Sequence, residues 1–562
     1  AVITYTGSKV AIANSLTIDS ENGAAGNPGD VNFGATSNLF ASAPGVTLTV
    51  RTDTTTTGLT SGAITFGLID DNAGANNFLA ALTTMTAATS GTSGRTNLNG
   101  NVFVDGPIFL SRRPNPIGVI TIDSEQGNNG PAGTITFDGA LSSSAAGTDL
   151  IVDSSVVGFV GGNILLPEVA VDSSHGFFLN DLTINTGGTT AGTISVRANV
   201  SLNDNAGDAA SFTVNGGGTI ILNVSATIDT EDGNSAGASG GTVDFGTSTI
   251  AGNAVGRDLT ISTSNTGAGS TGGAITLGPI ADPDGGGALV TLNDLILGAS
   301  GAAGGTFGNL TFNGAITLAS NGADLGDFTV NNSNNIIANQ NITTTGNLSW
   351  NSRNNVTLAA AVSVNTGAST VSILANQDAT GSENFTMNAG SSITTTNATA
   401  TAVSLTVGGT GSAALTAVSS DTTTGQINVT AGGAITDANG AAVNLTADLA
   451  VLSGAAGIDL DTTITHLTAA STNTAISIRE TSGLAINTVN AGTGNVTLTL
   501  VAGGITDNNT TGTLNVTAGL LNATGPAGVD LDTSVSQLTA LSMNAAISIR
   551  ELNGVAVNDV DA

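Results

Sequence analysis

Carboxylates are the reactive side chains this sequence supplies in number. There are 41 Asp and Glu against 10 Lys and Arg, two His and no Cys. The most regular group is Thr17-Ile18-Asp19-Ser20-Glu21, which returns as Thr121-Ile122-Asp123-Ser124-Glu125 and Thr227-Ile228-Asp229-Thr230-Glu231. Two carboxyls at a fixed separation are what glycoside hydrolysis requires. A catalytic pair is needed once, however, and this one occurs in triplicate. Repetition favours a turn-forming role in which Asp accepts backbone N–H bonds.

Clustered Asp oxygens in turns are also what a hard cation uses, so calcium is the one cofactor these residue types suggest. The candidate ligands are Asp229, Glu231 and Asp232, with Asp282 and Asp284 in the turn Asp282-Pro283-Asp284-Gly285. Neither group has EF-hand spacing or a glycine-rich calcium nonapeptide. Solvated turns are the plainer reading of both. His175 and His466 stand far apart in the chain, so a Ser/His/Asp triad or a His-based metal site would require distant segments to meet. We expect each to be an exposed or packed structural histidine, no catalytic residue, and no enzyme.

The elements that would position these groups are short strands. Val46-Thr47-Leu48-Thr49-Val50, Leu182-Thr183-Ile184-Asn185 and Val496-Thr497-Leu498-Thr499-Leu500 alternate apolar and small polar residues, the pattern of half-buried strands. Clusters of Gly, Asn, Asp and Ser separate them, residues suited to turns. No stretch carries a helical stripe.

The strands recur with long periods. Successive Thr-Ile-Asp segments are spaced by about 105 residues, giving three super-repeats of about 105 residues over 1–330. Gly457-Ile458-Asp459-Leu460-Asp461-Thr462 returns about 71 residues later as Gly528-Val529-Asp530-Leu531-Asp532-Thr533. Ala475-Ile476-Ser477-Ile478-Arg479-Glu480 returns at the same offset as Ala546-Ile547-Ser548-Ile549-Arg550-Glu551. Residues 431–562 therefore hold two repeats of about 71 residues. Residues 331–430 are less regular but share the vocabulary, as in Gly346-Asn347-Leu348-Ser349-Trp350.

Sandwiches do not ordinarily grow by such units without linkers, whereas solenoids do. The expected fold is therefore all-β: a right-handed parallel β-helix (β-solenoid) forming one continuous rod. Coils of roughly 20–25 residues stacked about 4.8 Å apart would give some two dozen coils.

Composition narrows the function. A formal charge of −31, with Lys9 the only lysine, excludes a phosphate-backbone partner; Arg112-Arg113 is the nearest thing to a basic cluster. No apolar run reaches the roughly 18 residues of a spanning helix. Absent cysteine suits a secreted chain that crosses membranes unfolded by a bacterial route.

The Gly-Asn-Leu-Ser-Trp segment, Asn355-Val356-Thr357-Leu358, and the turns Gly432-Gly433-Ala434-Ile435-Thr436-Asp437 and Gly503-Gly504-Ile505-Thr506-Asp507 resemble the repeat tracts of filamentous-haemagglutinin-like and autotransporter-like bacterial surface proteins. The resemblance implies a secreted or cell-surface β-helix used in adhesion, aggregation or extracellular structure. It also implies partners that are other copies, adjoining solenoid segments, or host-surface and matrix glycans. In place of the Asn-Pro-Asn turn of that family's secretion module, this chain has Asn115-Pro116-Ile117. The leading expectation is a non-enzymatic structural or adhesive protein. Its rivals are a self-assembling subunit of a filament, sheath or surface layer, suggested by strand-like termini without polar caps, and a β-helix polysaccharide lyase or hydrolase.

Overall fold

The computed structural model describes every residue except 1, 22–25, 73, 75, 172–176, 204–208, 233–238, 304, 511 and 544. The described residues form strands, turns and bends without helix, and no helix is long and apolar enough to cross a membrane. The chain divides into two compact units: Ala1–Leu292 with Leu297–Gly308, and Asn293–Ile296 with Asn309–Ala562.

In the first unit, strands pair in parallel with strands about one coil further along the chain. One nine-stranded ladder runs from Leu16–Asp19 through Thr47–Arg51, Ala81–Met85, Ile108–Leu110 and Ile135–Phe137 to Thr249–Gly252. A second runs from Lys9–Ile12 through Val102–Phe103, Val119–Asp123, Asp149–Asp153 and Leu182–Asn185 to Ile275–Leu277. A third joins Ile3–Thr4, Val31–Asn32, Ile64–Phe66, Thr96–Leu98 and Pro114–Pro116. Later in the chain, Val200–Ser201, Ala226–Asp229 and Leu259–Ser262 take the third ladder's place in the order of visits.

Alternation dictates the burial. In Thr47–Arg51 and Asp149–Asp153 every second residue is buried, placing Leu48, Val50, Leu150 and Val152 inside and Thr49 and Ile151 on the outer face. Each fully buried Leu or Ile contributes roughly 1.5–3 kcal/mol relative to exposure. Phe33 stacks on Phe66 at 5.1 Å and on Tyr5 at 5.0 Å, so the aromatics too align from rung to rung.

Two features differ from the sequence expectation. The step between paired positions varies more than expected: Leu48 lies opposite Leu82 and Leu82 opposite Ile108, the first step exceeding the second, and the step from Thr96 to Pro114 is shorter than either. In addition, the three Thr-Ile-Asp copies occupy different ladders, in Leu16–Asp19, Val119–Asp123 and Ala226–Asp229. The super-repeat is not a whole number of such steps, so each copy falls one ladder short of a full coil.

Glycine at the corners answers to space as much as to torsion. A Cβ on Gly94 would collide with the Gly62 carbonyl oxygen, and one on Gly192 would collide with that of Gly162. Successive corners touch backbone to backbone, which only glycine permits.

The second unit is also built of parallel ladders with unequal steps: the one from Ile336 to its partner Val356 is short, and the next, from Val356 to Phe385, is longer. Phe312, Phe328 and Trp350 form its aromatic cluster, with centroids 5.2–5.7 Å apart. Towards the C-terminus the strands lengthen. Leu445–Gly454 and Ile458–Ala470 each run through more than one ladder, so the hydrogen-bonded sheet closes into a ring.

Candidate functional site

The triplicate carboxylates do the same local work in each copy. Asp19, Asp123 and Asp229 each accept the backbone N–H two residues on, from Glu21, Glu125 and Glu231, at 2.9, 2.8 and 3.0 Å. These are Asx turns that end the strand. In the second copy Glu125 is buried, and its carboxylate accepts the N–H groups of Asn129 and Gly130.

The calcium candidates fall into two chain segments. Asp229 is half-buried; burial pushes its carboxyl above the ordinary range, against its backbone bond, and the neighbouring Asp232 adds to the rise. Glu231 is fully buried, and residues 233–238 beyond Asp232 lie outside the described set. Asp282 accepts N–H bonds from Asp284 and Gly285. Asp284 accepts from Gly287, Ala288 and Leu289 at 2.8–3.0 Å, and these bonds, Leu289's foremost, hold its carboxyl below the ordinary range. Among the described residues no group of three or more His, Asp or Glu is arranged to hold a metal ion. Where hydrogen bonds to these carboxylates are described, the donors are backbone N–H groups of the turns.

His466 Nδ1 lies 3.2 Å from Asp448 Oδ1 on a half-exposed surface, while His175 lies outside the described residues. The counterparts of this pair in the last repeat are Gly519 and Gln537, so the contact belongs to one repeat only.

Three arrangements are new. Asp123 lies in register with Asp153, whose Oδ2 accepts from Asn185, whose Oδ1 in turn accepts from Asn215, both at 3.0 Å. Burial, with Asp153, Glu125 and Asp105 adding to it, pushes the Asp123 carboxyl from 3.8 to about 7, against its bond from the Glu125 N–H.

In the two C-terminal repeats a second carboxylate turns inward, and Glu480 is completely buried. Its carboxylate accepts from Thr462 Oγ1, the Ile464 N–H and the Ser482 N–H and hydroxyl at 2.8–3.0 Å. Glu551 repeats the bonds from Thr533 Oγ1 and the Val535 N–H. Strand alternation carries this signal in the sequence: with Ile476 and Ile478 inward and Arg479 outward, Glu480 must face in.

Beside these, Arg550 pairs with Asp507, Asp530 and Asp532, and Arg479 with Asp461. Asn515 and Asn444 each accept the N–H of the partner Asp, Asp532 and Asp461, at 2.8 Å. The duplication thus preserves a polar brace as well as the strand pattern. These groups are bonded to one another or to backbone, an arrangement that fixes local geometry.

No protein-family model, no curated protein and no solved structure matches this chain.

Proposed function

We propose that the chain is a right-handed parallel β-helix whose role is structural or adhesive at the bacterial cell surface, without enzymatic activity. The observation that carries this reading is where the carboxylates go. In all three Thr-Ile-Asp copies, and in both C-terminal repeats, they bond turn N–H groups or brace adjacent rungs. The ladders supply the rest: parallel strands visited in cyclic order, with aliphatic residues inside and Thr, Ser and Asn outside. The right hand follows from the crossover preference of parallel strands. A sequence without Cys suits export through membranes in an unfolded state.

Deleting the coding sequence in the source bacterium tests the reading. The expected result is reduced surface attachment or cell aggregation, with this chain among the peptides released by protease from intact wild-type cells. Recovery of the chain only from cell interiors, or loss of a polysaccharide-degrading activity on deletion, would overturn it.

A further inference from the structure

Basic residues in this chain are scarce, and most of those with described contacts are committed to neighbours. Arg51 pairs with Asp53 and Arg353 with Asp378; Arg479 and Arg550 pair as above; Lys9 bonds Asn72 and Arg257 bonds Asn253. Arg112 differs. Among the described residues its guanidinium has no ion-pair partner, and it is exposed at the edge of a cavity of about 340 Å³ in the first unit.

Three successive corners build that cavity, following Ala81–Met85, Ile108–Leu110 and Ile135–Phe137 in one ladder. They contribute Thr92 and Ser93, Arg112 and Arg113, and Asp138 and Gly139. The middle corner is held in an unusual shape. Arg112 and Arg113 have φ of 21° and 56°, consecutive non-glycine residues on the left-handed side, directly before Pro114. Buried Thr86 pins it by donating its hydroxyl to the carbonyls of Ser111 and Arg112, each at 3.3 Å. Gly139 lets the next rung approach, since a Cβ there would lie 2.8 Å from the Arg112 Cα. Strain of this kind persists where surrounding structure imposes it, and it recurs at ligand clamps.

We infer that this corner is a binding site for a single oxyanion carried on a sugar, a sulfate ester or a uronate carboxylate, gripped by the Arg112 guanidinium and flanked by Thr92 and Ser93. Guanidinium forks match the planar or tetrahedral oxygens of such groups. The overall charge of −31 repels polyanions at long range. At physiological salt this field is screened within about 8 Å, leaving the local groups to decide. Asp138 at the rim disfavours a second closely spaced anion. The inference stands apart from the scaffold role, because a β-helix that binds no oxyanion is still a scaffold.

Titration calorimetry at physiological salt tests it on the full chain with trigalacturonate, a heparin tetrasaccharide, inorganic sulfate and neutral maltotriose. The expected result is binding of at least one anionic probe and none of maltotriose. R112A should weaken that binding about tenfold or more, R112K less, and R197A, at an exposed arginine outside the cavity, not at all. The anionic probe bound most tightly identifies the source of the oxyanion. No binding by the wild type, equal binding by R112A, or an equal loss in R197A would overturn the site; unchanged circular dichroism confirms that each variant is folded.

Discussion

Replacing Asp123 with Asn should make the rung it occupies more stable at pH 8 and leave it unchanged near pH 4. Asp123 is pushed from 3.8 to about 7 by burial and by the carboxylates of Asp153, Glu125 and Asp105. For an acid whose pKa is raised on folding, both states are protonated below about pH 4, and the group then contributes nothing. Between pH 4 and pH 7 the unfolded chain ionises first, so stability falls, and above pH 7 the full penalty applies. At ~1.4 kcal/mol per pKa unit the penalty is about 4 kcal/mol before screening, and roughly 2 kcal/mol at this partly exposed position. Asn keeps a side-chain oxygen for the Glu125 N–H and adds a donor toward Asp153, as Asn185 already does one rung on. Hydrogen exchange of peptides covering 119–123 and 149–153, corrected for intrinsic rates, isolates the rung from the rest of a chain that need not unfold in one step. The expected gain in protection at pH 8 is about thirtyfold. Equal protection at pH 8, or a loss in the variant, would refute the carboxylate-stacking argument.

Other consequences follow from single contacts. Glu480→Ala strands the Thr462, Ile464 and Ser482 donors in a fully buried site and should cost about 3 kcal/mol or more in urea denaturation; Glu551→Ala, at a less buried copy, should cost less. Gly457 and Gly528 hold φ of 118° and 116°, so Ala at either should destabilise by about 1–3 kcal/mol by the same measurement. Because Asp282 and Asp284 already accept turn N–H groups, millimolar calcium or excess chelator should leave the melting temperature unchanged, and a shift of several degrees would restore them as ligands.

Strand existence, inward faces and the turn role of the repeated Asp were legible because each depends on near neighbours: Leu48 and Val50 alternate with Thr, and Asp19 bonds a group close by in the chain. The burial of Glu480 was missed, although its place in alternation with Ile476 and Ile478 carries the signal. What escaped depends on pairing register, which the corner lengths set and no local pattern encodes. Unequal steps, from Leu48 to Leu82 and then from Leu82 to Ile108, rotate the super-repeat copies onto different ladders. The same register brings Asp123 over Asp153, one coil on, where sequence showed two unrelated acids. The resemblance to surface-protein repeat tracts rests on residue vocabulary, and vocabulary does not specify which corner Arg112 occupies or that it is exposed there.

The absence of cysteine makes the parallel register directly measurable. Thr183 and Thr213 are opposite each other on adjacent strands and both face outward, whereas Thr219 belongs to another ladder. Neighbouring parallel strands lie about 4.8 Å apart, within disulfide reach. Under mild oxidation the double variant Thr183→Cys/Thr213→Cys should form an intramolecular disulfide, and Thr183→Cys/Thr219→Cys should not. Cross-linking in the second variant, or none in the first with both thiols accessible to alkylation, would contradict the parallel-ladder architecture on which the account rests.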